Sequence, residues 1–241
     1  VGMQGIGYTV AGISTTLLLG WLLGKAFRTD RDISLLITSG TAICGGSAIA
    51  AVSAVIRAKS HDITVALGTV FLLNALALVI FPPLGHYFGL SETQFGLWSA
   101  LAIHDTSSVV GASMQYGAKA LEVGTTVKLA RALWIVPMAL TIGYVRSKDA
   151  DAPAGGFKKP WFILGFVLAA ALMTWVPVLK PYGHVIETMA RRTLILTLFL
   201  IGAGLTRSTL KAVGVRPFAQ GVALWLVVSV LTLFSILNGL N

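Results

Sequence analysis

Charge is what this sequence has least of. Of its 241 residues, 11% are Asp, Glu, Lys or Arg, where an ordinary soluble domain carries about 25%. So little charge cannot cover the core of a water-soluble globule of this length. It also excludes a disordered chain, which is rich in charge and poor in apolar residues. Cysteine is nearly absent: Cys44 stands alone, so no internal disulfide forms and a disulfide-rich secreted scaffold is excluded. The four histidines, His61, His86, His104 and His184, are scattered, and no Cys/His group has structural zinc spacing, so no metal site is expected. Acids are outnumbered by bases, nine against 18, for a net charge of +9. The basic residues sit in short groups between apolar runs and form no single stripe. That pattern fits topology control by the positive-inside rule better than nucleic-acid binding, which is not expected.

Apolar residues are abundant: 56% of the chain is hydrophobic, with a mean hydropathy of +0.83. One bilayer pass takes roughly 20 apolar residues, so the length allows about eight passes. Only helices or closed barrels satisfy the backbone in lipid. The runs are too long and too evenly apolar for barrel strands, which alternate with period two. The expected class is an all-α polytopic membrane protein whose partner is the lipid bilayer.

The chain opens on Val1, and Ile6 already lies in a long uncharged stretch. No charged leader precedes it and no small-residue cleavage site follows, so a signal peptide is not expected. The expectation is a longer protein with further N-terminal passes. The apolar runs are Ile6–Gly24, Ile33–Ile56, Ile63–Phe81 (closed by Pro82 and Pro83), Phe95–Tyr116, Thr125–Val145, Trp161–Leu179, Val185–Thr206 (charge-free only from Thr193) and Pro217–Leu240. They divide the chain into a transmembrane bundle over 1–145, a polar linker at 146–160 and C-terminal transmembrane helices over 161–241. If all eight runs cross, one side carries Lys25, Arg28, Arg31, Arg146, Lys148, Lys158, Lys159, Arg207, Lys211 and Arg216. The other carries Arg57, Lys59, Lys119, Lys180, Arg191 and Arg192. The excess assigns the first set to the cytoplasm.

Two runs do not read as ordinary spans. The second, at 33–56, is dominated by small residues around Thr41 and Cys44-Gly45-Gly46-Ser47. Small residues allow close helix packing. Two adjacent glycines also permit left-handed backbone, which predicts a broken helix with Ser47 capping its second half. The fourth, at 95–117, carries His104-Asp105-Thr106-Ser107-Ser108 inside an apolar stretch. An ionisable group at that depth costs about 2.5–3.5 kcal/mol and should face protein or water. Five consecutive polar residues cannot share one helix face, so local unwinding is expected, with Asp105 or Ser107 capping the next half-helix. At an offset of 60 the two segments align: Ser39 with Ser99, Ala42-Ile43 with Ala102-Ile103, Ser47 with Ser107 and Ser53 with Ser113. Internal repeats are a common way for transporters to build a site. Lys128 and Arg131 sit one turn apart on the fifth run. They read either as residues snorkelling to the interface or as a basic pair that attracts an anion near the half-helix ends. Trp134, Trp161 and Trp225 read as belt or packing residues.

At Cys44-Gly45-Gly46-Ser47-Ala48-Ile49-Ala50-Ala51, Phe95-Gly96-Leu97-Trp98, Ile103-His104-Asp105-Thr106 and Lys128-Leu129-Ala130-Arg131 the sequence resembles the YeiH-type inner-membrane proteins of bacteria, a sulfate-exporter family. The resemblance runs along the whole chain. It implies the broad fold of bile-acid symporters and cation/proton antiporters, with discontinuous helices in a transport domain, and export of a small anion. One departure is Ser107-Ser108-Val109, where the family often has an amide or apolar residue; it adds hydroxyls near the expected site.

The leading expectation is therefore a secondary transporter of a small anion such as sulfate or a sulfonate. Thr41, Gly45, Gly46, Ser47, Thr106, Ser107 and Ser108 would bind the substrate. His104 and Asp105 would couple the cycle to protons or Na⁺, with Na⁺ held near Asp105 in the second case. No other cofactor is expected, and a homodimer is the expected assembly. A cation/proton antiporter using Asp105 as cation ligand is the alternative, and an anion channel the next. An enzyme is not expected. Adjacent His, Asp and Ser do not supply triad geometry, and no nucleophile elbow, His-Glu-x-x-His motif or P-loop is present.

Overall fold

The computed structural model describes residues 3–147 and 213–239, with scattered positions between 168 and 203. Among them are nine helices with defined bounds and no strand: α1 (Met3–Ala26), α2 (Arg31–Ala42), α3 (Gly46–Ile56), α4 (Ser60–Tyr87), α5 (Glu92–Ala102), α6 (Thr106–Tyr116), α7 (Ala118–Ala132), α8 (Ile135–Ser147) and α9 (Val215–Leu237). Four segments are long and apolar enough to cross a membrane: Thr9–Ala26, Ser60–Tyr87, Ala118–Arg146 and Val215–Leu237. They correspond to the first, third, fifth and eighth apolar runs. The second and fourth runs are the two interrupted helices, α2–α3 and α5–α6. Apart from those scattered positions, the sixth and seventh runs lie outside the described residues, as do Trp161 and residues 148–160 of the linker. The chain is a helical membrane protein, as its composition requires.

Three boundaries differ from the sequence reading. Pro82 and Pro83 do not close the third run; α4 carries them inside and continues to Tyr87. Proline removes a backbone donor, but membrane helices tolerate it where surrounding groups compensate. Here tertiary packing holds the segment: buried Phe81 stacks on Trp98 at 4.2 Å and on Trp225 at 5.9 Å. The stop comes later, where Gly89 takes φ +64 and Leu90 N–H donates to Gly85 O at 3.0 Å. The fifth run starts at Ala118, seven residues before Thr125. Its first amides are capped from a distance, since Glu92 Oε2 accepts from Lys119 N at 2.7 Å and Ala120 N at 3.4 Å. At the other end α8 runs through Arg146 to Ser147, so the first two residues of the expected linker are helical.

Each interrupted helix anchors one apolar cluster. Leu36, Ile37, Ile43, Ile49 and Val52 of the first pack with Val65 of α4 and Ile135 of α8. Phe95, Trp98, Ile103 and Val109 of the second pack with Phe81 of α4 and Trp225 of α9. Polar bonds join the outer helix to both regions. Gln220 Nε2 donates to Gly20 O at 3.1 Å and Ser34 Oγ at 2.8 Å, and Trp98 Nε1 donates to Ser229 O at 3.0 Å. Trp225 is thus a packing residue. Arg146 pairs with Asp32, which puts the end of α8 and the start of α2 on the same side. A cavity of about 660 Å³ opens there, with Lys25 and Arg28 among its lining residues.

The most extensive helix contact joins α5 to α7. A Cβ on Gly96 would lie 2.7 Å from Ala120 O and 2.9 Å from Val123 Cβ, with backbone on one side and a β-branched carbon on the other. A Cβ on Gly12 of α1 would meet nothing within 4 Å. Gly96→Ala should therefore lower unfolding stability in detergent by about 1–3 kcal/mol, and Gly12→Ala should leave it unchanged or raise it.

Candidate functional site: the crossing of two interrupted helices

The first interruption is made by glycine. α2 ends at Ala42, Ile43-Cys44-Gly45 form the turn, and α3 starts at Gly46. Gly45 holds φ +63 and ψ −122, a region that only glycine occupies without strain. Its N–H donates to Gly40 O at 2.8 Å. The expectation that Ser47 caps α3 is corrected: the cap position is Gly45, and no side chain makes a cap bond there. A cap reaches forward from just outside the helix, whereas Ser47 is the second residue inside it and is exposed.

The second interruption is made by a carboxylate. α5 ends at Ala102, and Asp105 caps α6 as expected. Its Oδ2 accepts from Ser108 N at 3.0 Å and Ser108 Oγ at 3.1 Å. The helix bounds around the two breaks stand 60 residues apart: Ala42 and Ala102 end the first halves, Gly46 and Thr106 begin the second.

The two breaks touch. A Cβ on Gly45 would lie 3.3 Å from Asp105 Cα, Asp105 N and the carbonyl carbon of His104. Both N-caps therefore meet backbone to backbone. The first-half C-termini meet too, through α7. Arg131 donates from one terminal nitrogen to Ala42 O at 2.5 Å. Its other terminal nitrogen donates to Ala100 O at 3.2 Å and Leu101 O at 3.0 Å. Lys128 Nζ donates to Ile103 O at 2.7 Å and Ala100 O at 3.3 Å. Lys128 is 0% and Arg131 3% exposed, so neither snorkels. Because α7 begins at Ala118, both lie in the middle of the Ala118–Arg146 span. The carbonyls of a helix's last turn have no intrahelical donor, and these two cations supply donors for both broken helices.

His104 is 1% exposed, and neither ring nitrogen has a hydrogen-bond partner. Its backbone N–H donates to Asn74 Oδ1 at 3.1 Å, while Asn74 Nδ2 is buried without a partner. Buried unpaired polar atoms are rare, and here four of them, two on His104 and one each on Asn74 and Arg131, adjoin one crossing. Asn74 is the residue that the sequence reading missed. Its signal is an amide standing alone in the charge-free third run.

The other expected site residues divide. Thr41 is buried, but its hydroxyl donates to Ile37 O at 3.0 Å, and that of Ser108 donates to Asp105. Gly46 faces the Phe71 ring, where a Cβ would meet Cζ at 3.2 Å. Thr106 is half-buried and Ser107 buried at the start of α6. The structure thus brings Gly45, His104, Asp105, Lys128 and Arg131 together and leaves the Ser47 side chain outside.

The charge balance of the crossing is positive. Each helix end carries about half an elementary charge, positive at N-termini and negative at C-termini, so two of each nearly cancel. Two basic side chains, Lys128 and Arg131, therefore stand against one carboxylate, Asp105.

Two discontinuous helices crossing among long apolar spans define a polytopic helical membrane protein with half-helix termini inside the bundle. The chain belongs to the family described as conserved hypothetical protein 698, whose model matches residues 1–221. This is the family its motifs resemble. It is 67% identical to a UPF0324 membrane protein of Bdellovibrio bacteriovorus over 99% of this chain and 74% of that one. It is 50% identical to a UPF0324 membrane protein of Geobacter sulfurreducens over 98% and 74% of the two chains, and 52% identical to one of Bacteroides thetaiotaomicron over 96% and 70%. No solved structure matches the chain.

Two substitutions test the crossing. Gly45→Ala combines a forbidden dihedral with backbone contacts at 3.3 Å and should cost about 1–3 kcal/mol in chemical unfolding. Arg131→Met keeps most of the volume but strands the Ala42 and Leu101 carbonyls. Two buried carbonyls left without a donor should cost about 2 kcal/mol or more in the same measurement.

Proposed function

We propose that this protein is a secondary transporter of a small oxyanion, sulfate or a sulfonate, in the bacterial inner membrane, and that the crossing of the two interrupted helices is its substrate site. The observation that carries the reading is the pair of N-caps, Gly45 and Asp105, in backbone contact beside a buried Lys–Arg pair. Helix N-termini present unpaired N–H groups and favour anions. Those of α3 and α6 supply the amides of Gly46, Ser47, Thr106 and Ser107. Because the Thr41 and Ser108 hydroxyls already donate within the protein, the amides and the Thr106 and Ser107 hydroxyls carry most of the anion contact. Lys128 and Arg131 act through the field of the crossing. The resemblance to the YeiH-type sulfate exporters supports the anion and the outward direction, and the 60-residue spacing of the breaks supports an internal repeat.

Asp105 and His104 carry the coupling in this reading. A carboxylate beside a bound anion is repulsive unless a proton or cation neutralises it. The His104 imidazole, whose two ring nitrogens have no partner in the protein, is the second group available to take a proton in the cycle. The second reading, a cation/proton antiporter, draws on the same Asp105 carboxylate. The test is flux of labelled sulfate into proteoliposomes holding the full-length protein. Asp105→Asn and His104→Ala should each lower coupled flux by about tenfold or more. Unchanged flux in both removes them from the mechanism. Cation-driven proton movement without any anion flux favours the antiporter.

A further inference from the structure

Carbonyl oxygens at the C-terminal ends of broken helices are the groups that coordinate a coupling Na⁺ in discontinuous-helix transporters. In this protein those oxygens already have cations on them. The Ile103 carbonyl accepts from Lys128 at 2.7 Å, Leu101 accepts from Arg131 at 3.0 Å, and Ala100 accepts from both, at 3.3 and 3.2 Å. Ala42, at the end of the other broken helix, accepts from Arg131 at 2.5 Å. Both cations come from α7, a helix that belongs to neither broken pair, and both are buried. Their placement is a tertiary feature and is not a local cap.

A lysine ammonium is a compact point charge with three donors and a preference for oxygen. At the Ala100 and Ile103 carbonyls it does for charge and coordination what a bound Na⁺ does. The difference is that it is tethered and cannot leave. A free Na⁺ entering beside it would meet two fixed positive charges and oxygens that already accept hydrogen bonds. Truncation of Lys128 reverses both conditions, because it frees the carbonyl of Ile103, two residues before Asp105, and removes one basic group from the crossing.

We propose that Lys128, supported by Arg131, is a built-in counter-cation occupying the place of a coupling Na⁺, so that the protein works without Na⁺. The proposal rests on the crossing being a transport site, as argued above, and it selects against Na⁺ as the coupling ion there. It predicts that removing Lys128 creates a Na⁺ response that the natural chain lacks.

The test is thermal unfolding of the full-length protein in detergent, in NaCl against choline chloride and KCl at matched ionic strength, for the natural chain, Lys128→Ala and Lys128→Arg. The natural chain and Lys128→Arg should unfold at the same temperature in all three salts. Lys128→Ala should be less stable and should regain about 2–4 °C in Na⁺ alone. A Na⁺-specific rise in the natural chain overturns the proposal, and so does a folded Lys128→Ala with no Na⁺ response. If Lys128→Ala does not fold, the natural chain decides: indifference to Na⁺ supports the proposal and a Na⁺ shift overturns it. Labelled-sulfate flux, measured in parallel with and without Na⁺, separates this inference from the function it rests on. Sulfate flux that needs Na⁺ overturns the counter-cation alone. Absence of sulfate flux in every salt overturns the anion reading, and the unfolding temperatures still decide the cation question.

Discussion

An interrupted helix inside a membrane protein leaves backbone carbonyls that no water can satisfy, and every other feature of the crossing follows from that constraint. Ala42 ends α2 and Ala102 ends α5, so the structure has two such ends to satisfy at one place. It does so from α7, with one guanidinium that reaches both ends and one ammonium that reinforces the second. Buried cations are costly in an apolar interior. Here the negative ends of two helices offset that cost, and the same cations stabilise carbonyls that would otherwise be stranded. Each side of the arrangement is tolerable only in the presence of the other.

The N-terminal halves are solved differently, and the difference sets the chemistry. α3 starts at a glycine that contributes no side chain, so its first amides have no side-chain cap. α6 starts at an aspartate whose carboxylate already serves Ser108. Their backbones approach closely because Gly45 has no Cβ to hold them apart. The result is a small electropositive region with His104 and Asn74 unsatisfied beside it. The two basic side chains that complete the broken helices are also the ones that stand beside the Asp105 cap.

Much of this was legible in the residues. Gly45-Gly46 and the run His104–Ser108 marked both interruptions, because adjacent glycines and five consecutive polar residues are incompatible with a continuous apolar helix. The sequence offered Asp105 or Ser107 as the cap and left Trp225 between belt and packing; the structure selected Asp105 and packing. Ser47 misled because a serine after glycines resembles a cap, whereas the positive dihedral required at the turn selected Gly45. Pro82 and Pro83 misled because local stop signals can be outweighed by the stacking of Phe81 on Trp98. Asn74 was passed over because a single amide has no periodicity to announce it.

By itself the sequence determined the class, the apolar runs and the two weak points in them, since these depend on composition and on the local limits of helical backbone. Only the tertiary structure decided what the weak points touch. That Gly45 lies against Asp105 and that Arg131 reaches from α7 to the ends of two other helices are contacts between residues far apart in the chain. Lys128 and Arg131 sit one turn apart whether they reach for the bilayer surface or for buried carbonyls. The direction they take depends on what the neighbouring helices leave unsatisfied, and no spacing within one helix carries that information.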